Sequence, residues 1–208
     1  MVNVLFIVPS LRRAGAETQI IDLVNALDSR SFRKHLLAFE RDLSQLGRVN
    51  QPEVAFHHIQ RRSKYDVGFI QKIAKIIDRL EIDIIHCTME FSLLVGFLAR
   101  LRSSRKPVLI TVIHTTLNRG FKEELQDRLI YRRLLRACAA VVFVCKSQAE
   151  HWMGKCPALA DKSIVIYNGV DVDKFNPKTF EQAARDFRIK QGIPDDSFVI
   201  SCIAGFRP

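Results

Sequence analysis

The sequence predicts an α/β fold, a Rossmann-like doubly wound parallel sheet of about seven strands, and three observations carry that prediction. Seven apolar runs of strand length recur along the first 170 residues. Segments with apolar residues three or four apart lie between them, the spacing of a helix with one buried face. The runs are nearly continuous Val, Ile and Leu rather than alternating with polar residues, which is how strands read when helices cover both faces of their sheet.

The elements follow in order. Residues 3–8 form the first run, and helical spacing follows over residues 18–27. The next two runs are residues 36–39 and 54–59, and a helix is expected over 67–80, with Asp66 placed as its N-cap. Residues 82–87, 108–113, 140–145 and 163–167 supply the remaining strands. Helical spacing over 93–101, 123–136 and 148–153 separates them, Ser147 standing as N-cap of the last. Right-handed crossovers then wind the chain into one sheet. After Tyr167 the pattern breaks into Asn168-Gly169-Val170-Asp171, Phe175-Asn176-Pro177, a polar helix over 179–190 and the turn Gly192-Ile193-Pro194-Asp195-Asp196. A new apolar strand is expected over 198–204. The expected organisation is therefore a first domain over 1–172, a linker over 173–196, and the first strand of a second domain over 197–208.

With 208 residues, 48% hydrophobic and 26% charged, the composition excludes a disordered or fibrous chain. The formal charge of +10 suits a partner with negative charge: nucleic acid, lipid headgroups or a phosphorylated ligand. The first basic residues, Arg12 and Arg13, come after the apolar run, the reverse of a secretory signal, so export is not expected. The longest nearly apolar stretch, residues 91–99, is far short of the ~20 residues of a membrane span. Five cysteines without C-x-x-C spacing suit a reducing, cytoplasmic compartment, and no zinc site is expected.

In open α/β sheets ligands sit at the carboxyl ends of the strands, so the residues just after each run matter most. After the first run comes Pro9-Ser10-Leu11-Arg12-Arg13-Ala14-Gly15-Ala16-Glu17, a small-residue turn opening a helix, whose free N–H groups suit a phosphate. The turn is neither G-x-G-x-x-G nor a P-loop, and Gly15 is equally explained by tight helix–strand packing. After the fourth run comes His86-Cys87-Thr88-Met89-Glu90, and after the fifth His114-Thr115-Thr116-Leu117-Asn118-Arg119-Gly120. A histidine at such a strand end can donate to a sugar hydroxyl or polarise a reacting group. His86, set against Ile84 and Ile85, reads more naturally as a core or supporting histidine, whereas His114 precedes a polar loop long enough to close over a ligand. Glu17 and Glu90 are placed to approach the cleft, although Glu17 also suits its helix dipole as a first-turn acid. No G-x-S-x-G elbow, H-E-x-x-H or acid/base carboxylate pair supports a hydrolase.

Between Arg100 and Arg136 there are ten basic residues against Glu123, Glu124 and Asp127. On a helical wheel Arg128, Arg132 and Arg136 align, with Arg133 beside them and Phe121, Leu125 and Leu129 interleaved, as in helices that lie on anionic lipid; Ile130 and Leu134 point toward a core. A solvated basic face supported by a Glu124/Arg128 pair is the competing reading. Nucleic-acid binding is disfavoured, because no zinc finger, helix-turn-helix or RNP-like aromatic pattern accompanies the charge.

The ordered set resembles the N-terminal half of family-four (group 1) retaining glycosyltransferases of the GT-B fold. The matching pieces are Ala14-Gly15-Ala16-Glu17 (the family's G-G-A-E turn), Ile82-Asp83-Ile84-Ile85-His86 (P-D-V-V-H) and the fifth run ending in His114. They continue with the stretch from Ala137 to Cys145 (A-D-x-V-V-A-V-S) and with Ile166-Tyr167-Asn168-Gly169-Val170-Asp171 through Phe175-Asn176-Pro177 (I-P-N-G-V-D-x-x-x-F-x-P). The resemblance implies transfer of a sugar from a nucleotide sugar to a saccharide or lipid-linked acceptor, with retention at the anomeric carbon, in glycan or polysaccharide biosynthesis. It implies an acceptor-holding N-terminal domain and a donor-holding C-terminal one. By position Gly15 and Ala16 would approach the donor phosphates, a UDP- or GDP-sugar being the expected donor, and His114 would contact the transferred sugar as the catalytic residue. Arg207, in Gly205-Phe206-Arg207-Pro208, resembles the start of the family's G-R-x-x-x-x-K-G segment and would be a further phosphate ligand. Ser10, Arg13, Glu17, His86, Glu90 and Asn118 would line the acceptor side of the cleft.

Ala14 replaces the family's first glycine, Tyr167 its proline and Cys145 its serine. No metal or other cofactor is expected, since protein cations and helix N-termini neutralise the leaving group in such enzymes. The whole enzyme is expected at the cytoplasmic membrane face, with this stretch alone inactive. Two alternatives stand beside it: a Rossmann-like module that binds a nucleotide or an anionic surface without chemistry, and a relative that kept the fold as a scaffold or regulator and lost turnover.

Overall fold

The computed structural model describes residues 1–63, 66–114 and 121–202. The chain divides into two compact units, Met1–Asn168 and Gly169–Pro208.

The first unit contains β1 (Val2–Val8), α1 (Gly15–Ala26), β2 (Phe32–Ala38), β3 (Val54–His58), α2 (Gly68–Arg79), β4 (Ile84–Thr88), α3 (Glu90–Arg102) and β5 (Val108–Ile113). It continues with α4 (Phe121–Gln126), a π-helical turn (Asp127–Tyr131), α5 (Arg132–Ala137), β6 (Ala140–Phe143), α6 (Lys146–Lys155) and β7 (Ser163–Val165). All strands are parallel and form one sheet in the order β3-β2-β1-β4-β5-β6-β7. The seven expected strands and the doubly wound order are therefore present.

Strand pleating divides the core. From β1, Leu5 and Ile7 enter one layer with Phe69, Ile73 and Ile77 of α2, Leu93 and Ala99 of α3, and Trp152 of α6. Val4, Phe6 and Val8 enter the other with Ile20, Ile21 and Val24 of α1. α3 comes closest to the sheet at Gly96: a Cβ built there would lie 2.5 Å from the Cys87 sulfur and 3.2 Å from Ile85 Cγ2. Gly96→Ala is accordingly expected to destabilise the unit by about 1–3 kcal/mol through overpacking. Urea unfolding should show a lowered midpoint at unchanged slope, and Cys87→Ala in the same chain should recover part of the loss.

Several boundaries differ from the expectation for physical reasons. β2 begins at Phe32 instead of residue 36, because Lys34 and His35 are buried with partners that no local pattern predicts. Lys34 Nζ donates to Leu27 O at the end of α1 (2.8 Å) and to Glu53 Oε2 (3.3 Å), while His35 Nδ1 lies 3.2 Å from His57 Nε2. α1 and α3 start earlier than their apolar spacing, at Gly15 and Glu90. Asp66 is not the N-cap of α2: Val67 takes that position, and Asp66, one residue before it, accepts the Gly68 N–H on Oδ1 at 3.0 Å. Ser147 is not an N-cap: α6 starts at Lys146, and Cys145 takes the flanking extended position.

The second unit holds a short 3-10 turn (Pro177–Phe180) and α7 (Glu181–Gln191), where the polar helix was expected. α7 stops at Gly192, whose φ of 65° lets the Gly192 and Ile193 amides donate back to Ile189 O and Arg188 O. Residues 198–202, expected to begin a strand, pair with no strand among the described residues. An isolated strand has unmet backbone groups and no sheet to meet them. All five cysteines are free. Among the described residues no helix is long and apolar enough to cross a membrane.

Candidate functional site

An all-parallel sheet puts every strand's carboxyl end on one edge, and the order reverses between β1 and β4, where crossovers leave to opposite sides. Open α/β sheets form their ligand crevice at such a point. Three segments deliver side chains to it: the turn from β1 into α1, the turn from β4 into α3, and the residue after β5.

In the first turn Glu17 is only 1% exposed. Its Oε1 accepts from Arg12 Nε at 3.0 Å and from Ser10 Oγ at 3.4 Å, whereas Oε2 is buried with no hydrogen-bond partner among the described residues. A carboxylate sunk this deep needs its cation, and Arg12 supplies it from a side chain that is itself 58% exposed. The orphan oxygen is an acceptor waiting for an N–H or O–H. Gln45 holds the turn from outside: its Nε2 donates to Arg12 O (2.5 Å), and its Oε1 accepts from Arg48 (2.6 Å). α1 then begins without a side-chain cap. A Cβ on Gly15 would meet nothing within 4 Å, so tight packing does not explain that glycine. Ala16 is partly buried and Arg13 is exposed.

The second turn is strained. Met89 has φ 73° and ψ 158°, a region glycine normally occupies and one that costs other residues of order 1–3 kcal/mol. The kink lets β4 pass directly into α3, which Glu90 opens. His86 lies one layer below, within β4, its ring 5.1 Å from that of Phe6 and its Nδ1 buried without a hydrogen-bond partner among the described residues. Burial pushes its pKa down to about 4, with the nearby His114 adding to the effect, so the imidazole is neutral near pH 7.

His114 follows β5 and is partly buried. Burial lowers its pKa, while the carboxylates of Glu90 and Glu17 pull the other way. Tyr131, from the π-helical turn, is raised by burial and then by the Glu90 charge. Ser10, Arg12, Glu17, His86, Glu90, His114 and Tyr131 thus form one electrostatic neighbourhood at the strand ends. A neutral imidazole between two carboxylates can hydrogen-bond a hydroxyl-bearing ligand and can carry a proton. Among the described residues no group of three or more His, Cys, Asp or Glu side chains is arranged to hold a metal ion.

Arg12, Gln45 and Tyr131 were absent from the candidates read in the sequence. Arg12 carried a signal, as a basic residue five positions before an acid destined for burial; Gln45 and Tyr131 arrive from distant segments and carried none. Asn118 and Arg207 lie outside the described residues.

The basic stripe does not survive as drawn. The π-helical turn bonds i to i+5, so residues four apart across it no longer align. Arg132 turns inward, 22% exposed, and pairs with Glu124 at 3.4 Å; Lys155 reaches the other Glu124 oxygen at 3.1 Å. Arg128, Arg133 and Arg136 are exposed. Leu134 is buried as expected, but Ile130, expected to face a core, is 42% exposed and joins Leu125 and Leu129 on the surface.

The family model for Glycosyltransferase Family 4 matches residues 13–174. Among curated proteins the chain is 26% identical over 219 residues to a Bacillus subtilis (strain 168) protein named as a glycosyltransferase, EpsF, covering 99% of this chain and 54% of the relative. Among solved structures a glycosyltransferase from Rickettsia africae ESF-5 superposes with a TM-score of 0.67 at 19% identity, over 94% of this chain and 50% of that one. Anabaena Alr3699/HepE in complex with UDP and glucose superposes with a TM-score of 0.65 at 17% identity, over 90% and 50%. The chain spans about half the length of these relatives. The seven-stranded parallel sheet is that of the N-terminal, Rossmann-like half of GT-B glycosyltransferases.

Proposed function

The chain belongs to Glycosyltransferase Family 4, and from that premise we propose that its first unit is the acceptor-holding half of a retaining hexosyltransferase. The observation that carries the reading is the convergence of Glu17, Glu90 and His114 at the reversal point of the sheet. The donor is a nucleotide sugar, as the complex of HepE with UDP and glucose suggests by analogy. Its diphosphate lies against the uncapped N–H groups at Gly15 and Ala16, where fixed dipoles stabilise the leaving charge. His114 donates to the transferred sugar, orienting it and supporting charge at the reacting carbon. Glu17 Oε2 and Glu90 accept from hydroxyl groups of the ligand, Ser10 and Arg12 holding the Glu17 carboxylate in place. The acceptor is a saccharide or a lipid-linked saccharide. A second half completes the donor site and accounts for the greater length of the relatives; on this reading residues 1–208 by themselves do not turn over. Acting without a metal or other cofactor is part of the same proposal.

The test is to express the longest natural protein that contains this chain and incubate it with labelled UDP- and GDP-sugars and a panel of saccharide and lipid-linked acceptors. Release of nucleotide coupled to a glycoside of unchanged anomeric configuration is expected. Inverted configuration would overturn the retaining mechanism, and no release from any donor would overturn the transferase reading.

Work at the cytoplasmic membrane face belongs to the same reading, supported by the free cysteines and by the exposed Leu125, Leu129 and Ile130 beside Arg128, Arg133 and Arg136. Sedimentation with anionic vesicles should fall severalfold in Leu129→Glu/Ile130→Glu and in Arg128→Glu/Arg133→Glu. Unchanged sedimentation in both would leave the segment as a solvated face.

A further inference from the structure

Two strands outward from β1, on the same edge of the sheet, the chain leaving β3 walls a cavity of about 450 Å³ with His58, Ile59, Gln60 and Arg62, closed on the other side by Lys72 of α2. It takes no part in the neighbourhood of His114 described above. We propose that this cavity is a binding site for a phosphate group carried on a small polar molecule or on a lipid head.

The charge inventory supports this. Several cations elsewhere on the first unit are matched, Arg48 with Asp22, Lys34 with Glu53, Arg105 with Asp83 and Arg132 with Glu124, while others such as Arg13, Lys75 and Arg133 stand exposed away from this cavity. The guanidinium of Arg62 and the amine of Lys72 have no ion-pair or hydrogen-bond partner among the described residues. The carboxylate in their neighbourhood belongs to Asp66, which feels the charge of Arg62. Its two oxygens are occupied by the backbone amides of Arg62 and Gly68, both at 3.0 Å. Two cations without an ion-pair partner beside a cavity attract an anion, and a guanidinium with an ammonium is a usual pairing for phosphate.

The walls are set rather than loose. His58 Nε2 is bonded to Glu40 O at 2.9 Å, and Ile59 N–H and Arg61 N–H donate to Ala38 O and Phe39 O. Arg61, between the two lining residues Gln60 and Arg62, lies 4.7 Å above the Phe91 ring and 3.8 Å from Glu40. Gln60 and His58 add further polar groups, and Ile59 is the one apolar residue among the described lining. Such a lining suits an anionic head and not a hydrocarbon tail, and the volume leaves room for a sugar-sized group beside the phosphate. That the ligand is the acceptor of transfer rests on the proposed function; that the cavity binds phosphate does not, and it is tested without donor or turnover.

Inorganic pyrophosphate, titrated into the protein by calorimetry at fixed ionic strength, is the probe. Saturable one-site binding is expected, weakened at least tenfold in Arg62→Gln/Lys72→Gln. In Lys75→Gln/Lys178→Gln, which removes the same charge from exposed positions outside the cavity, binding should stay within twofold. No saturable binding, or equal loss in both double variants, overturns the site and shows only a response to net charge. Circular dichroism of each variant confirms that the fold is retained. Vesicles of phosphatidylcholine with phosphatidic acid separate the sources: a sedimentation loss confined to Arg62→Gln/Lys72→Gln supports a lipid phosphate, and unchanged sedimentation together with lost pyrophosphate binding supports a soluble one.

Discussion

His114→Ala in the protein carrying this chain is expected to lower transfer about 10²- to 10⁴-fold, the range associated with removing a positioned proton-transfer or hydrogen-bonding group. The side chain stands just past the end of β5, partly buried, so its loss removes little packing and thermal unfolding should be nearly unchanged. Its pKa is held down by burial, against the pull of Glu90 and Glu17. The neutral imidazole is therefore the working form near pH 7, and activity should fall as pH drops below the ordinary imidazole range. His114→Asn retains a hydrogen-bond donor and should recover part of the rate while losing that pH dependence. Full activity in the alanine variant would remove His114 from the mechanism.

Acidification is expected to destabilise the first unit strongly. His35 and His86 both have pKa values pushed down to about 4, in each case chiefly by burial. For His35 the charges of His57 and Arg33 add to burial, and for His86 that of His114. Between the usual imidazole value near 6.5 and that depressed value, the unfolded chain binds protons that the folded chain refuses. Stability therefore stands in full above pH 6.5, falls as pH is lowered through this window, and has lost the whole contribution below pH 4. By pH 5 the loss is on the order of 2 kcal/mol for each histidine. Asp78 and Glu53, whose carboxyl pKa values lie below their usual range, add their own loss chiefly at lower pH. Urea unfolding at pH 7.5 and pH 5 measures the difference, and His35→Gln/His86→Gln should remove most of it, His57 and His114, whose pKa values burial also lowers, keeping a remainder. An equally steep dependence in the double variant would assign the acid sensitivity elsewhere.

The strand ends were legible because a parallel sheet announces itself in runs of Val, Ile and Leu, and such a sheet can place ligands at one edge only. Ser10, Glu17, Glu90 and His114 could be named as candidates for that reason. What the candidates do to one another could not be read. Glu17 is buried against Arg12 through a turn gripped by Gln45, and Tyr131 reaches the Glu90 field from a helix more than forty residues away. The strained Met89 looks like any apolar residue in the string, since backbone strain leaves no mark on composition. The helical wheel failed at residues 127–131 for a related reason: it assumes a uniform 3.6-residue period, and the π-helical turn breaks it.

Local patterning by itself determined the seven strands, that they run parallel and which strand-end residues to name as site candidates, because side-chain period and strand burial are properties of neighbours in sequence. Tertiary structure alone decided which charges are compensated. Arg12 and Lys34 are consumed by Glu17 and Glu53, Arg132 by Glu124, while Arg62 and Lys72 remain open beside a cavity. Net charge is a sum over the chain, but a binding site is a matter of which charges folding leaves without a partner, and partners are chosen by distance in space.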